Sequence, residues 1–168
     1  MNEDQFIKRD RLRFKRNTLS ANLTLLAILC DMLYFVNIYQ SDVGSYYYTY
    51  MIGISVIYNL VFLLAAFLTE EGVKNYKKEH SYLQVVLGVI QVVRIFILPM
   101  SAHTTELDGA LVMGNGQFTY QVVLLIASAA CLVVSAVVNY TKCAALDAHM
   151  KMLAEQDTGR VSPSKVST

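Results

Sequence analysis

Four long apolar segments, separated by short polar stretches, most constrain what this chain can fold into. They cover residues 18–40, 47–69, 81–102 and 118–139. A helix of about twenty apolar residues spans the hydrocarbon core of a bilayer, and a helix also satisfies its own backbone hydrogen bonds there. The sequence therefore predicts an all-α integral membrane protein, built as a four-helix transmembrane bundle.

The composition supports this prediction and argues against several other classes. Of the 168 residues 55% are hydrophobic and 16% are charged, whereas about a quarter of an ordinary soluble domain is charged. A formal net charge of +1 argues against a nucleic-acid-binding protein, which would carry a basic surface. The three cysteines include no C-x-x-C pair, so they predict neither a disulfide framework nor a zinc site.

The positions of the lysines and arginines predict the orientation of the spans. Six basic residues precede the first span, three lie between the second and third, and four follow the fourth. The other two linkers carry none. Because basic loops stay on the cytoplasmic side, both termini are expected in the cytoplasm, and the plasma membrane is the expected location.

This topology divides the chain into three parts. Residues 1–17 form a basic cytoplasmic segment, residues 18–156 the four-span domain with a cytoplasmic extension of its last helix, and residues 157–168 a polar tail expected to be disordered. The basic cluster fixes the topology and can also bind anionic lipid headgroups. Its candidate residues are Arg9, Arg11, Arg13, Lys15 and Arg16.

The linker between the third and fourth spans predicts a small extracytoplasmic β-hairpin. Its Asp108-Gly109 pair favours a two-residue turn and is flanked by residues 104–107 and 110–113. His103 and Glu106 belong to the same region, but two such residues do not make a metal site. We therefore expect neither a metal nor another cofactor.

Two opposite charges lie inside the predicted spans, Asp31 in the first and Arg94 in the third. At about 1.5 Å per residue from the cytoplasmic ends, they lie within roughly 5 Å of each other in depth. An unpaired charge at mid-bilayer costs on the order of 2.5–3.5 kcal/mol, so we expect the two to pair. The polar residues expected to support the pair are Tyr34, Asn59, Gln84 and Gln91.

Three roles for this pair agree with its chemistry. It can be a buried lock that fixes the register of the helices, a docking surface for another membrane subunit, or a transport site. In a transport site Asp31 would be the group that changes protonation, because arginine scarcely deprotonates in proteins. The lock is the simplest of the three.

The motifs of the common enzyme classes are missing from the sequence, including G-x-S-x-G, the P-loop and H-E-x-x-H. We therefore expect a non-enzymatic accessory or assembly subunit of a larger membrane complex, such as a transport complex. Its expected partners are the lipid bilayer and either another membrane protein or further copies of itself, and not a nucleic acid. The alternative is a small oligomeric transporter or channel in which Asp31 is the coupling residue.

Overall fold

The computed structural model describes residues 16–38, 46–107 and 109–160, without the side chains of residues 46–48, 107 and 156–160. Four long helices dominate it: α1 (Thr18–Ile38), α2 (Tyr46–Lys74), α3 (Glu79–Ile97) and α5 (Asn115–Arg160). Between α3 and α5 lie a short helix, α4 (Pro99–Thr104), and the strands β1 (Glu106–Leu107) and β2 (Ala110–Leu111).

Four stretches of these helices are long and apolar enough to cross a membrane, as the sequence predicted. They are Thr18–Ile38, Thr49–Lys74, Glu79–Thr104 and Asn115–Glu155. Large apolar side chains such as Leu29 and Val36 lie on the outside, whereas Thr24 and Asp31 are buried. Apolar residues outside and polar residues inside suit a bundle that is surrounded by lipid.

The long helices form an up-and-down bundle in which each packs against the next, and α5 closes the bundle by packing against α1. At one end the Asn17 backbone N–H donates to the Lys74 carbonyl, and the Asn17 side chain contacts Asn139. At the other end Gln117 Nε2 donates to the Asn37 carbonyl at 3.1 Å. We call these the basic end and the hairpin end.

Two apolar clusters fill the interior at different heights. Between them lies a polar level, because Asp31 comes between Ile28 and Tyr34 on α1, as Arg94 comes between Leu87 and Leu98 on α3. The cluster nearer the basic end contains Ala27, Ile28, Phe62, Ala66, Leu87 and Leu132, and the one nearer the hairpin end contains Tyr34, Ile38, Leu98, Leu124 and Leu125.

The hairpin is present but shorter than predicted. Glu106 pairs with Leu111 and Leu107 with Ala110 in antiparallel register, and Gly109 adopts a positive φ of 81°. Thr104 belongs to α4, which Pro99 begins, and is therefore not part of a strand. Residues 112 and 113 leave the ladder because their N–H groups donate to carbonyls at and just after the end of α4. Asp108 lies outside the described residues.

Helix α5 extends well beyond the bundle. It has 46 residues, or about 69 Å. At Cys143 it still contacts the bundle, since the Cys143 Sγ donates to the Tyr76 carbonyl at 3.2 Å in the turn between α2 and α3. Residues 144–160, which we call the α5 projection, add about 25 Å of helix. The helix thus continues four residues into the predicted tail, of which residues 161–168 lie outside the described part of the chain.

Candidate functional site

The structure brings Asp31 and Arg94 together in the bundle interior. Arg94 Nη1 donates to Asp31 Oδ1 at 2.7 Å, and the two side chains are 4% and 0% exposed. The pairing expected from their depths in the two spans is therefore present, although the residues come from helices that lie diagonally across the bundle.

Every long helix contributes a side chain to this level, which we call the charge layer: Asp31, Asn59, Gln91, Arg94 and Ser128. Gln91 Nε2 donates to Asp31 Oδ1 at 2.8 Å and to Ser128 Oγ at 3.2 Å. Arg94 Nη2 donates to Asn59 Oδ1. Gln91 and Asn59 thus lie where the sequence predicted them, and Ser128 is an additional member that sequence reasoning missed.

Two tyrosine rings enclose the guanidinium group of Arg94. Its Cζ atom lies 4.3 Å from the ring centroid of Tyr34 and 5.1 Å from that of Tyr58. A cation over an aromatic face gains electrostatic stabilisation, and more so away from water. Tyr34 supports the pair through its ring, and Tyr58 joins it without having been predicted.

The charge layer contains polar atoms to which no neighbouring described residue forms a hydrogen bond. Asp31 Oδ2, Asn59 Nδ2 and Arg94 Nε are buried and have no hydrogen-bond partner among the described residues. A buried polar group without a partner costs about 1–3 kcal/mol. The charge layer therefore makes many contacts, but these contacts do not satisfy every polar atom in it.

Gln84 belongs to a different level, so the prediction that it supports the charge pair is corrected. Its Nε2 atom donates to Thr24 Oγ1 at 2.6 Å and to Ser135 Oγ at 2.7 Å. The Ser135 hydroxyl also lies 2.6 Å from that of Ser20. This hydroxyl layer (Ser20, Thr24, Gln84 and Ser135) is separated from the charge layer by two helical turns, about 10 Å.

A third polar level, the asparagine layer of Asn17, Ser81 and Asn139, closes the basic end. Asn17 Nδ2 donates to Asn139 Oδ1 at 3.0 Å, and Asn139 Nδ2 donates to Ser81 Oγ at 2.8 Å. Lys142 Nζ donates to Asn17 Oδ1 at 2.9 Å. The layer ties the start of α1 to α3 and α5.

A seven-residue spacing connects these levels, and it is the sequence signal that could have found Ser128. Seven residues make nearly two helical turns, so such residues return to the same face. Interior polar residues recur at this spacing along three helices. They are Asn17, which directly precedes α1, with Thr24 and Asp31 on α1, Gln84 and Gln91 on α3, and Gln121, Ser128 and Ser135 on α5.

The predicted headgroup-binding cluster is described only at its last residue, Arg16, which is exposed; Arg9, Arg11, Arg13 and Lys15 lie outside the described residues. Several lysines at this end contact other groups. Lys74 lies 3.4 Å from Glu71 and 3.9 Å from Glu70, and Lys78 Nζ lies 4.9 Å from the Tyr140 ring centroid. Binding of lipid headgroups by the basic cluster stays a prediction.

The hairpin end carries a histidine in a structural setting. His103 Nδ1 lies 3.2 Å from the Met113 carbonyl oxygen, and its ring stacks on Phe118 with centroids 4.3 Å apart. Across residues 16–38, 46–107 and 109–160, no three His, Cys, Asp or Glu side chains gather in a metal-binding group.

Comparison with protein-family models, curated proteins and solved structures finds no match to this chain, so its function has to be inferred from the geometry.

Proposed function

We propose that the chain is a non-enzymatic integral membrane subunit that assembles with a larger membrane complex. The observation that carries this proposal is the closure of the charge layer. Asp31 is 0% exposed, bonds to Arg94 and Gln91, and lies between two apolar clusters. A substrate or a coupled proton would need a polar route to this carboxylate, whereas a lock within a scaffold needs none.

The α5 projection also supports an assembly role. It extends about 25 Å from the bundle, and its Met150, Met152 and Leu153 side chains are exposed. Exposed apolar side chains on a helix outside the membrane are suited to contact another protein. The projection therefore offers an attachment site that does not disturb the bundle.

We further infer that the basic end faces the cytoplasm of a cell whose plasma membrane holds the protein, and that the hairpin lies outside. Arg16, Lys74, Lys77, Lys78 and Lys142 all belong to the basic end. The described residues of the hairpin end include no lysine or arginine. This asymmetry is the one that the positive-inside rule uses.

Purification in a mild detergent tests the assembly role. We expect the full chain to co-purify with another membrane protein in stoichiometric amount, and a chain truncated after Cys143 to lose it. Truncation after Arg160 is the matched control, because it keeps the whole projection and should keep the partner. A full chain that is recovered alone as a monomer would contradict the proposal.

A second candidate is a small oligomeric transporter or channel in which Asp31 is the coupling residue. The unpartnered Asp31 Oδ2 and Arg94 Nε atoms favour it, because they leave the pair able to bind a further polar group. Under this function Asp31→Asn abolishes flux in reconstituted vesicles and leaves membrane insertion intact. Under the assembly function the same substitution lowers the yield of folded protein instead.

A further inference from the structure

The unpartnered polar atoms of the charge layer lie around one guanidinium group. Asp31 Oδ2, Asn59 Nδ2 and Arg94 Nε have no hydrogen-bond partner among the described residues, and neither has the buried Tyr58 hydroxyl. Asp31 and Asn59 each bond to Arg94 through the other atom of the same side-chain group. The Tyr58 ring centroid lies 5.1 Å from Arg94 Cζ. These four atoms therefore belong to one site, which we call the unpartnered cluster.

The orientation of the Asn59 amide follows from its neighbour. A guanidinium group only donates hydrogen bonds, so the Asn59 atom that faces Arg94 Nη2 must be the oxygen. The Asn59 nitrogen then carries two N–H groups without an acceptor. Turning the amide over would not satisfy them, because it would place two donors against each other.

The unpartnered cluster differs from the unpartnered atoms in the other polar levels. At Gln84 in the hydroxyl layer, and at Gln121, the atom without a partner is a single amide oxygen. A carbonyl-type oxygen has two lone pairs and is left under-satisfied more often than an N–H group is. The charge layer instead combines unpartnered N–H donors with an unpartnered carboxylate oxygen, so it has both kinds of group to offer to a ligand.

The chemistry of the cluster matches a neutral molecule that both donates and accepts hydrogen bonds. Asn59 Nδ2 and Arg94 Nε need acceptors, Asp31 Oδ2 needs a donor, and the Tyr58 hydroxyl can act as either. The Asp31 carboxylate would repel an anion and the Arg94 guanidinium a cation, and these two charges already neutralise each other at 2.7 Å. Water has the required donors and acceptors.

The surroundings of the charge layer favour a water molecule that stays in place. Buried waters in proteins make about three hydrogen bonds each, to polar groups that would otherwise be unsatisfied. Apolar clusters lie on both sides of the charge layer. Water held there is therefore separated from bulk water by packed side chains, and the polar atoms are its only alternative partners.

We propose that the charge layer binds water, which bridges Asn59 Nδ2 and Arg94 Nε to Asp31 Oδ2. The bridge gives α2 a second connection to α1 and α3, in addition to the bond between Asn59 and Arg94. It needs no partner subunit and is compatible with either function considered above, so its test uses the purified chain alone.

Transfer of magnetisation from water protons to side-chain N–H groups tests the proposal within one molecule. The Asn59 and Gln91 amides belong to the same layer and both residues are 0% exposed, but both N–H groups of Gln91 have protein acceptors. The isotope-labelled chain is placed in nanodiscs of perdeuterated lipid. We expect transfer to build up about tenfold faster at Asn59 Nδ2 than at Gln91 Nε2, because a hydrogen-bonded water lies in direct contact with the N–H group.

Arg94 Nε–H should respond as Asn59 Nδ2 does, which provides a second probe of the same water. Equal rates at Asn59 and Gln91 would overturn the proposal, as would the lack of transfer to Asn59 or to Arg94. The comparison uses the unaltered chain, so it does not depend on the folding of a variant.

Hydroxyl protons exchange with water and can carry its signal, and the chain offers two controls for this. Gln91 Nε2 lies 3.2 Å from the Ser128 hydroxyl oxygen, so transfer relayed by hydroxyl groups would appear at Gln91 as well. Tyr58→Phe removes the hydroxyl of the unpartnered cluster and keeps a ring beside Arg94. Transfer to Asn59 should persist in this variant, because the water keeps three protein partners. Its loss would show that Tyr58 relays the signal and would overturn the proposal.

Ordinary lipid in place of perdeuterated lipid distinguishes water from lipid as the source of the signal. We expect the same rate of transfer to Asn59 in both kinds of nanodisc. Transfer that appears only with ordinary lipid would come from lipid hydrogens, and it would show that no water is bound at Asn59.

Discussion

Arg94 connects its own helix, α3, to α1 and α2 within the charge layer. It bonds to Asp31 of α1 and Asn59 of α2, and its guanidinium lies against the rings of Tyr34 and Tyr58. Such a pair gives little net stability over apolar residues of similar size, because both charges lose their hydration. Removing one member is different, since the other is left as an unpaired charge in a low-dielectric interior.

A double-mutant cycle on Asp31 and Arg94 follows from this asymmetry. Asp31→Leu and Arg94→Met should each lower the free energy of unfolding by about 3–5 kcal/mol, because each leaves an unpaired buried charge. The double variant should lose far less free energy of unfolding than the sum of the two single losses, and its loss should be close to zero. Reversible unfolding in mixed micelles measures all three. Additive losses would mean that the two charges do not interact in the folded protein.

At the scale of the helices, much of the fold could be predicted from the sequence, because the lengths of the apolar segments and the basic linkers between them indicate where helices cross the membrane. The heights at which the helices contact one another could not be predicted from the sequence. Gln84 and Gln91 lie on one face of α3, and their periodicity does not say which of them meets Asp31. That choice depends on the height of α3 against α1, which follows from how α3 packs in the bundle as a whole. One close contact of α3 lies at Gly88, against α5. A Cβ atom there would lie 3.2 Å from Val133 Cγ2 and 3.4 Å from the Ala129 carbonyl oxygen.

Replacement of Gly88 by leucine should therefore separate α3 from α5. The added side chain overpacks the contact with Ala129 and Val133, and we expect a loss of about 1–3 kcal/mol in the free energy of unfolding. Gly53→Leu is the control, because a Cβ atom at Gly53 meets nothing within 4 Å. Thermal denaturation of both variants in the same detergent compares them, and equal stability would show that α3 and α5 do not approach closely at Gly88.

At the scale of the whole molecule, the bundle has two unlike ends. The basic end carries the start of α1, the turn between α2 and α3 and the α5 projection, whereas the hairpin end carries α4, β1 and β2. The described interior contains several polar layers, apolar clusters lie on either side of the charge layer, and the outer surface is apolar. The described part of the molecule thus combines buried polar layers and apolar clusters in its interior with an apolar outer surface along the bundle.

Insertion of accessibility tags tests the orientation that we infer. A tag at Tyr76, in the turn of the basic end, should be protected from a membrane-impermeant reagent in intact cells. A tag at Gly109, in the hairpin, should react. Both positions lie in turns, so neither tag interrupts a helix. A reactive Tyr76 tag, or two tags on the same side, would show that the inferred topology is wrong.

The recurrence of interior polar residues every seven positions leaves the chain with a near-duplicate of its native alignment. If α1 slid along α3 by that distance, Thr24 would meet Gln91, and hydroxyl–amide bonds would form again. Asp31 and Arg94 would then each lose their counter-ion. At on the order of 2.5–3.5 kcal/mol for even one unpaired charge, that loss reduces the population of the slipped alignment by at least roughly a hundredfold. A chain in which both charges are replaced by apolar residues would keep its stability but would no longer favour one helix register. It would exist in lipid as a mixture of two registers.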